Sequence, residues 1–218
     1  MSLKGTKLGL DVNVTDVLQN DNFIRGDLRF AFGSVDYTSN GTGSSSGLPD
    51  WYIEARLLFG KDWSTTSSVF SPYTGLGYRY LYNDARGISN TGYSGYRRES
   101  NYVYLPVGII HRTALKNRSN LISTLEYDHL LTGKQVSSLS DVTGAGYSDF
   151  TNTQGSGYGL KLSIMYDNDI GAIGPYVHYW SIDQSDITLV YRYGVPNSYW
   201  VEPKNNTIEF GLKVSQQF

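Results

Sequence analysis

Apolar and polar residues alternate one for one along most of this chain, which is the period of a β-strand with one apolar face. The last stretch shows it best. Ile208, Phe210, Leu212, Val214 and Phe218 fall on one face; Glu209, Gly211, Lys213 and Ser215 fall on the other. The same parity recurs upstream. Leu8, Leu10, Val12 and Val14 oppose Lys7, Gly9, Asp11 and Asn13, and Leu28, Phe30 and Phe32 oppose Arg25, Asp27 and Arg29. Trp51, Ile53, Ala55, Leu57 and Phe59 oppose Tyr52, Glu54 and Arg56, and Leu76, Tyr78, Tyr80 and Tyr82 oppose Gly75, Gly77 and Arg79. Leu121, Leu125 and Tyr127 oppose Thr124, Glu126 and Asp128; Tyr158, Leu160, Leu162, Ile164 and Tyr166 oppose Gly159, Lys161 and Ser163. Segments 101–112 and 173–183 are apolar on both faces, so alternation leaves their parity open. Nine strands are predicted, near 5–14, 22–37, 50–60, 70–82, 101–112, 119–131, 156–167, 173–183 and 205–218.

The connections alternate in length. Long polar segments at 38–49, 83–100, 132–155 and 184–204 are read as loops, and the links at 15–21, 61–69, 113–118 and 168–172 are shorter. Outer-membrane barrels have long external loops and short periplasmic turns. The expectation is therefore a single all-β domain over 1–218, an antiparallel up-and-down transmembrane β-barrel of 8–10 strands with its C-terminus in the periplasm. Bacterial single-chain barrels have even strand counts, so nine leaves two choices. Either residues 1–20 stay outside the barrel, or one more amphipathic strand precedes them; ten strands are favoured because the 7–14 alternation is as clean as that of the closing segment.

Composition narrows the alternatives. Charged residues make up only 17% of the chain, with 24 Gly and 19 Tyr in their place, where soluble domains carry about a quarter charged residues. No apolar run is long enough for a transmembrane helix. Cysteine is absent, which removes disulfides and thiolate metal sites. The net charge of −2 does not suggest nucleic acid as a partner. Residues 1–5 lack a following apolar h-region and do not read as a signal peptide, so export requires a leader encoded upstream.

The faces opposite the apolar stripes carry balanced charges. Lys7, Arg25, Arg29, Arg56, Arg79, Lys161 and Lys213 stand against Asp11, Asp27, Glu54, Glu126, Asp128, Asp167 and Glu209. A solvated face has no need of such balance, but a narrow lumen does, because unpaired charges there lose hydration. These residues are read as a lumen network that plugs the barrel, with the interspersed glycines leaving room for long arginine side chains. Tyr78, Tyr80, Tyr82, Tyr102, Tyr104, Tyr158, Tyr166, Tyr176 and Tyr179 are read as interfacial girdles.

Sites of chemistry are few. Asp128 and His129 are adjacent, so in a strand they point to opposite faces and form no dyad. His111 beside Arg112 reads as interfacial. His178 with Ser181 suggests a hydrolase only weakly, because no acidic partner stands at a convincing spacing. Three scattered histidines offer no ligand spacing for a metal. No enzyme activity, metal or cofactor is expected. Tyr96, Arg97, Arg98, Tyr199 and Trp200 lie in the long segments, and exposed aromatics beside arginine suit a contact surface; the alternative is that they pack along the rims of extended strands.

The stretch from Trp51 through Tyr82, the segment Tyr96-Arg97-Arg98-Glu99-Ser100-Asn101-Tyr102, and the end from Glu202 to Phe218 resemble a broad family of small proteobacterial outer-membrane β-barrel proteins. The resemblance implies fold and bacterial outer-membrane location and carries no activity; the architecture is similar to OmpA-type and autotransporter-type barrels. The terminal Phe218 resembles the signal read by the barrel-assembly machinery. Expected partners are outer-membrane lipid, that machinery through the closing strand, and an extracellular ligand, with the barrel a monomer. The expected role is a surface-interaction or structural protein with a plugged lumen. A narrow channel for small solutes is the alternative, and a membrane-embedded hydrolase comes after it.

Overall fold

The computed structural model describes residues 1–216. The chain runs through β1 (Ser2–Val17), β2 (Asn22–Ser39), β3 (Gly43–Lys61), β4 (Trp63–Ser64), β5 (Ser68–Ile88) and β6 (Ser94–Ala114). It continues through β7 (Asn120–Ser138), β8 (Phe150–Gln154), β9 (Gly157–Asn168), β10 (Gly171–Ile182), β11 (Thr188–Arg192), β12 (Val195–Trp200) and β13 (Asn205–Ser215). The strands β1-β2-β3-β5-β6-β7-β9-β10-β13 form one antiparallel sheet in that order. The short β4 and β8 pair with β5 and β7, and β11 and β12 pair only with each other. Period-two patterning thus becomes a sheet wherever it occurs, including the first strand.

Two of the segments expected as loops are ladder instead, and both ends of a third, 132–155, are too: β6–β7 pairs as far as Arg97↔Ser138, and β8 pairs with β7. The β2–β3 pairing continues to Ser39↔Gly43, and β5–β6 to Ile88↔Ser94. Their Ser-, Gly- and Asn-rich arms carry no apolar stripe, so alternation cannot reveal them. They pair because each residue added to a growing ladder gives its backbone groups partners. Residues 139–149 and 183–204 keep irregular structure, apart from the hairpin β11–β12. The sheet therefore has one pole of tight turns, near residues 20, 65, 117 and 170, and one pole of long hairpins.

The sheet curls into a half-barrel. Side chains from β3 reach β7, β9 and β13 across the concave face: Arg56 to Glu126 at 2.7 Å, Glu54 to Lys161 at 3.5 Å, and Tyr52 to Glu209 at 3.0 Å. The edges are β1 and β13, and within the described residues they do not pair with each other. With nine antiparallel strands, the two edges run in the same direction.

The two open parities are resolved. In β6, Tyr102, Tyr104 and Ile110 are buried while Leu105, Val107 and Ile109 are exposed; in β10, Ala172, His178 and Trp180 are buried while Ile173 is exposed. A bulge puts Leu131 out of register between Val103↔Thr132 and Tyr104↔Leu130. One extra residue reverses parity. Glu126, Asp128 and Leu130 thus point inward before it, and Gln135 and Ser137 after it.

The convex face stays apolar and uncovered. On β9, Tyr158, Leu160, Leu162, Ile164 and Tyr166 are 37–45% exposed. Leu8, Leu10, Val12 and Val14 on β1 and Ile208, Phe210, Leu212 and Val214 on β13 are more exposed still. Toward the hairpin pole the aromatics stack from strand to strand: Phe30 on Trp51, Trp51 on Tyr80 and Tyr82, and Tyr158 on both Tyr127 and Tyr179. Toward the turn pole, Phe70 stacks on His111 at 4.4 Å.

Candidate functional site: a filled concave face beneath a structured pole

The concave face is built in layers, because each strand contributes every second residue at a shared height. Nearest the turn pole Phe23, Leu58, Tyr73 and Ile110 form an apolar cluster. Nearer the hairpin pole Tyr102, Tyr104, Leu130, Trp180 and Ile182 form another. The charges lie between the two.

Arg56 is the hub. Its guanidinium donates to both oxygens of Glu126, at 2.7 and 2.9 Å, and to Asp27 at 2.6 Å. Glu126 also accepts from Lys161 at 2.8 Å and from the Tyr73 hydroxyl at 2.6 Å. Asp27 is shared with Arg25 at 2.6 Å. Glu54, only 2% exposed, faces Arg79 at 3.3 Å and Lys161 at 3.5 Å. Beside the edges, Glu209 accepts from Arg29 at 2.5 Å, from Tyr176 at 2.8 Å and from Tyr52 at 3.0 Å. Lys213 meets Asp11 at 2.6 Å, which ties β13 to β1 through side chains alone. Lys7 pairs with Asp50. Arg25, Asp27, Arg29, Glu54, Arg56, Arg79, Glu126, Lys161, Glu209 and Lys213 are thus joined by ion pairs. Burying such charges is tolerable only because each meets an opposite sign in hydrogen-bonding geometry.

Asp128 differs from the rest. It is fully buried, its oxygens accept no hydrogen bond from the described residues, and His178 Nε2 lies 3.4 Å from its Oδ2. Arg79 faces His178 Nδ1 at 3.4 Å. Arginine has only donors, so Nδ1 is the acceptor and the Nε2 proton points toward Asp128. The acidic neighbour that His178 lacks in sequence is therefore supplied from β7, fifty residues earlier. Ser181, of opposite parity, makes no hydrogen bond to His178 among the described residues. His129 is exposed beside Tyr127, on the face opposite Asp128.

The tyrosines and glycines are distributed differently from the sequence-based expectation. Tyr102, Tyr104 and Tyr176 point inward with Tyr52 and Tyr73, and do not join a girdle. The inward glycines make room for these rings more than for arginines. A Cβ on Gly77 would lie 2.2 Å from the Tyr104 ring, and one on Gly108 would lie 2.5 Å from that of Tyr73. A large inward ring needs an inward residue without a side chain on the neighbouring strand, and alternation alone does not say which glycine faces which ring.

The hairpin pole is capped by irregular chain. Asn152 donates to Asp186 O at 3.1 Å and to Thr188 Oγ1 at 3.0 Å, and Gln154 to Asp183 O at 3.2 Å. Of the contact-surface candidates, Arg97 is engaged by Asp141 through Nε at 2.8 Å and Nη2 at 2.9 Å, which holds the Asp141 carboxyl below its ordinary range. Arg98 stacks on Tyr96 and lies 3.8 Å from Glu202; burial raises the Glu202 carboxyl, and Arg98 offsets part of that. Trp200 packs edge-on against Phe150 at 5.6 Å. Tyr199 is 76% exposed. Phe218 lies outside the described residues.

No family model and no curated protein sequence matches the chain.

Proposed function

We propose that the chain is an integral outer-membrane β-barrel that is plugged rather than conducting and that works through its hairpin pole. The observation that carries this reading is the continuous convex face of exposed aliphatic residues bounded by aromatics. In water such a face is an aggregation liability, whereas in a bilayer it is the lipid contact. From Tyr158 to Tyr166 the strand advances roughly 27 Å at about 3.4 Å per residue, or about 20 Å along the normal at a tilt near 40°. That approaches the apolar band of such barrels, about 25 Å tall. The short turns then face the periplasm and the hairpins the outside.

Closure of the barrel is part of the same proposal. Unpaired backbone groups cost several kcal/mol each in hydrocarbon, so two lipid-facing edges cannot stay open. Both edges run the same way, and one strand antiparallel to both would complete a ten-stranded barrel. The filled lumen argues against the channel reading. A cavity of about 130 Å³ lies among Asp11, Arg25, Asp27, Glu126, Lys161 and Lys213. Above it Tyr104, Leu130, Ile182 and Gln154 are fully buried, which supports a filled interior toward the hairpin pole.

The test is reconstitution. The protein is expected to need detergent or lipid to remain dispersed, to migrate faster on a denaturing gel before heating than after, and to give little or no conductance in planar bilayers. A dispersed monomer without detergent overturns the membrane reading, and a large steady ohmic conductance overturns the plug.

A further inference from the structure

We propose that the slot between β13 and β1 receives a strand from the polypeptide ahead of β1, with glycine where Lys213 meets Asp11 and a lumen face otherwise small and uncharged. The inference rests on the ten-stranded closure proposed above and specifies the strand that completes it. Three observations lead to it.

Links that skip a strand pass over glycine. Lys7 on β1 pairs with Asp50 on β3, and the β2 residue in register with both is Gly33. The Tyr73 hydroxyl on β5 donates to Glu126 on β7 at 2.6 Å, and the β6 residue in register with both is Gly108. Tyr102 on β6 donates to Gln154 on β8 at 3.3 Å, with Gly133 of β7 in register between them. The reason is steric. In a sheet curled this tightly, inward side chains from alternate strands converge over the strand between them, and a Cβ there has no room. One on Gly108 would lie 2.5 Å from the Tyr73 ring, and one on Gly133 would lie 2.8 Å from that of Tyr102.

The same kind of link spans the slot. Lys213 on β13 donates to Asp11 on β1 at 2.6 Å. An intervening strand sets its two neighbours about 10 Å apart, so this ion pair passes over its lumen side as the other links pass over β2, β6 and β7. A bulky inward residue at that height would meet the lysine stem.

The edges call for no further charge. Their lumen-facing charges are Lys7, Asp11, Glu209 and Lys213, and these already face Asp50, Lys213, Arg29 and Asp11. A charge added on the strand between them would be confined without a partner. The position ahead of β1 follows from direction. β1 enters from the hairpin pole, with Ser2 opposite Thr38, and β13 leaves at the turn pole, with Ser215 opposite Ala172. A strand ahead of β1 leaves both chain ends at the turn pole, whereas one after β13 would carry both charged termini across the hydrocarbon.

The test prepends a strand of alternating valine and serine to the full chain through an Asn-Gly turn, which fixes its register on β1. One fusion has glycine at the inward position in register with Asp11, a second has phenylalanine there, and a third has that glycine with glutamate at the next inward position. Hydrogen exchange in detergent micelles reads β13. The glycine fusion is expected to slow exchange along β13, and the other two to lose at least about tenfold of that protection. Asp11→Ala together with Lys213→Ala removes the link and is expected to restore protection to the phenylalanine fusion, with heat-modifiable migration retained. No protection by the glycine fusion, equal protection by all three, or a phenylalanine penalty that survives the double variant overturns the proposal. A reading frame ahead of the Met1 codon that encodes no such strand overturns its source. Slow exchange along both edges of the chain without any fusion overturns the ten-stranded closure itself, because the edges would then already be joined.

Discussion

Replacing Arg56 with methionine perturbs the concave face at its hub. The side chain is only 13% exposed, and it bridges Glu126 and Asp27 while lying 4.0 Å from Glu54. Methionine keeps an unbranched stem, so most packing survives while the charge and three hydrogen bonds are lost. Breaking a fully buried pair costs about 3–5 kcal/mol. Here Glu126 retains Lys161 and Tyr73, and Asp27 retains Arg25, so the expected loss is lower, about 2–4 kcal/mol. The assay is urea unfolding of the protein in lipid vesicles, followed by tryptophan fluorescence. A cycle with Glu126→Gln separates the pair from its surroundings, and a coupling of roughly 1–3 kcal/mol is expected. A change under about 0.5 kcal/mol with no coupling refutes the reasoning, because Arg56 would then face elsewhere and the parity of β3 would be wrong.

Three further outcomes are expected. Gly77→Ala drives a methyl into the Tyr104 ring and should destabilise by about 1–3 kcal/mol, and Tyr104→Leu in the same chain should recover part of the loss in the same unfolding assay. Cysteines at Val12 and Leu212, and at the positions one turn of the pleat away, should not form a disulfide. Bridging needs Cα atoms within about 7 Å, and a strand between β1 and β13 holds them near 10 Å; efficient bridging would indicate direct parallel pairing of the edges. Asp141 is held below its ordinary 3.8 by Arg97, so the anchorage of residues 139–149 is present above that value and is lost as pH falls through the lower folded value. Proteolysis of this segment, negligible at pH 5, should therefore rise in more acidic buffer, and Asp141→Asn should show the same cleavage at pH 5.

Much of this protein is already legible in its residues one strand at a time. Successive Cβ atoms in a strand point to opposite sides, so Leu160 and Lys161 could be assigned to opposite faces without coordinates, as could Ile53 and Glu54. That local rule yields nine strands, the apolar convex face and the inward-facing charged residues, but not that Asp128 would stand apart from the ion pairs. It fails where the ladder does something nonlocal. The bulge at Leu131 reverses parity within β7, and the polar arms of β2–β3 and β5–β6 pair beyond any apolar stripe. Which charge meets which is likewise beyond alternation. Arg56 finds Glu126 seventy residues away, and His178 finds Asp128 rather than Ser181, because the curl and stagger of the sheet bring distant strands to one height across a narrow concave face. The contact of residues 144–148 with the tip of β11–β12, where Tyr193 N donates to Gly146 O at 2.6 Å, is equally nonlocal, because neither the turn nor residues 144–148 carry a periodicity to read. Where alternation is clean and unbroken by a bulge, the sequence by itself decides the side of the sheet on which a residue stands, since that is backbone geometry; the tertiary structure decides the rest of the parities and every partner, since those depend on how the whole sheet pairs and bends.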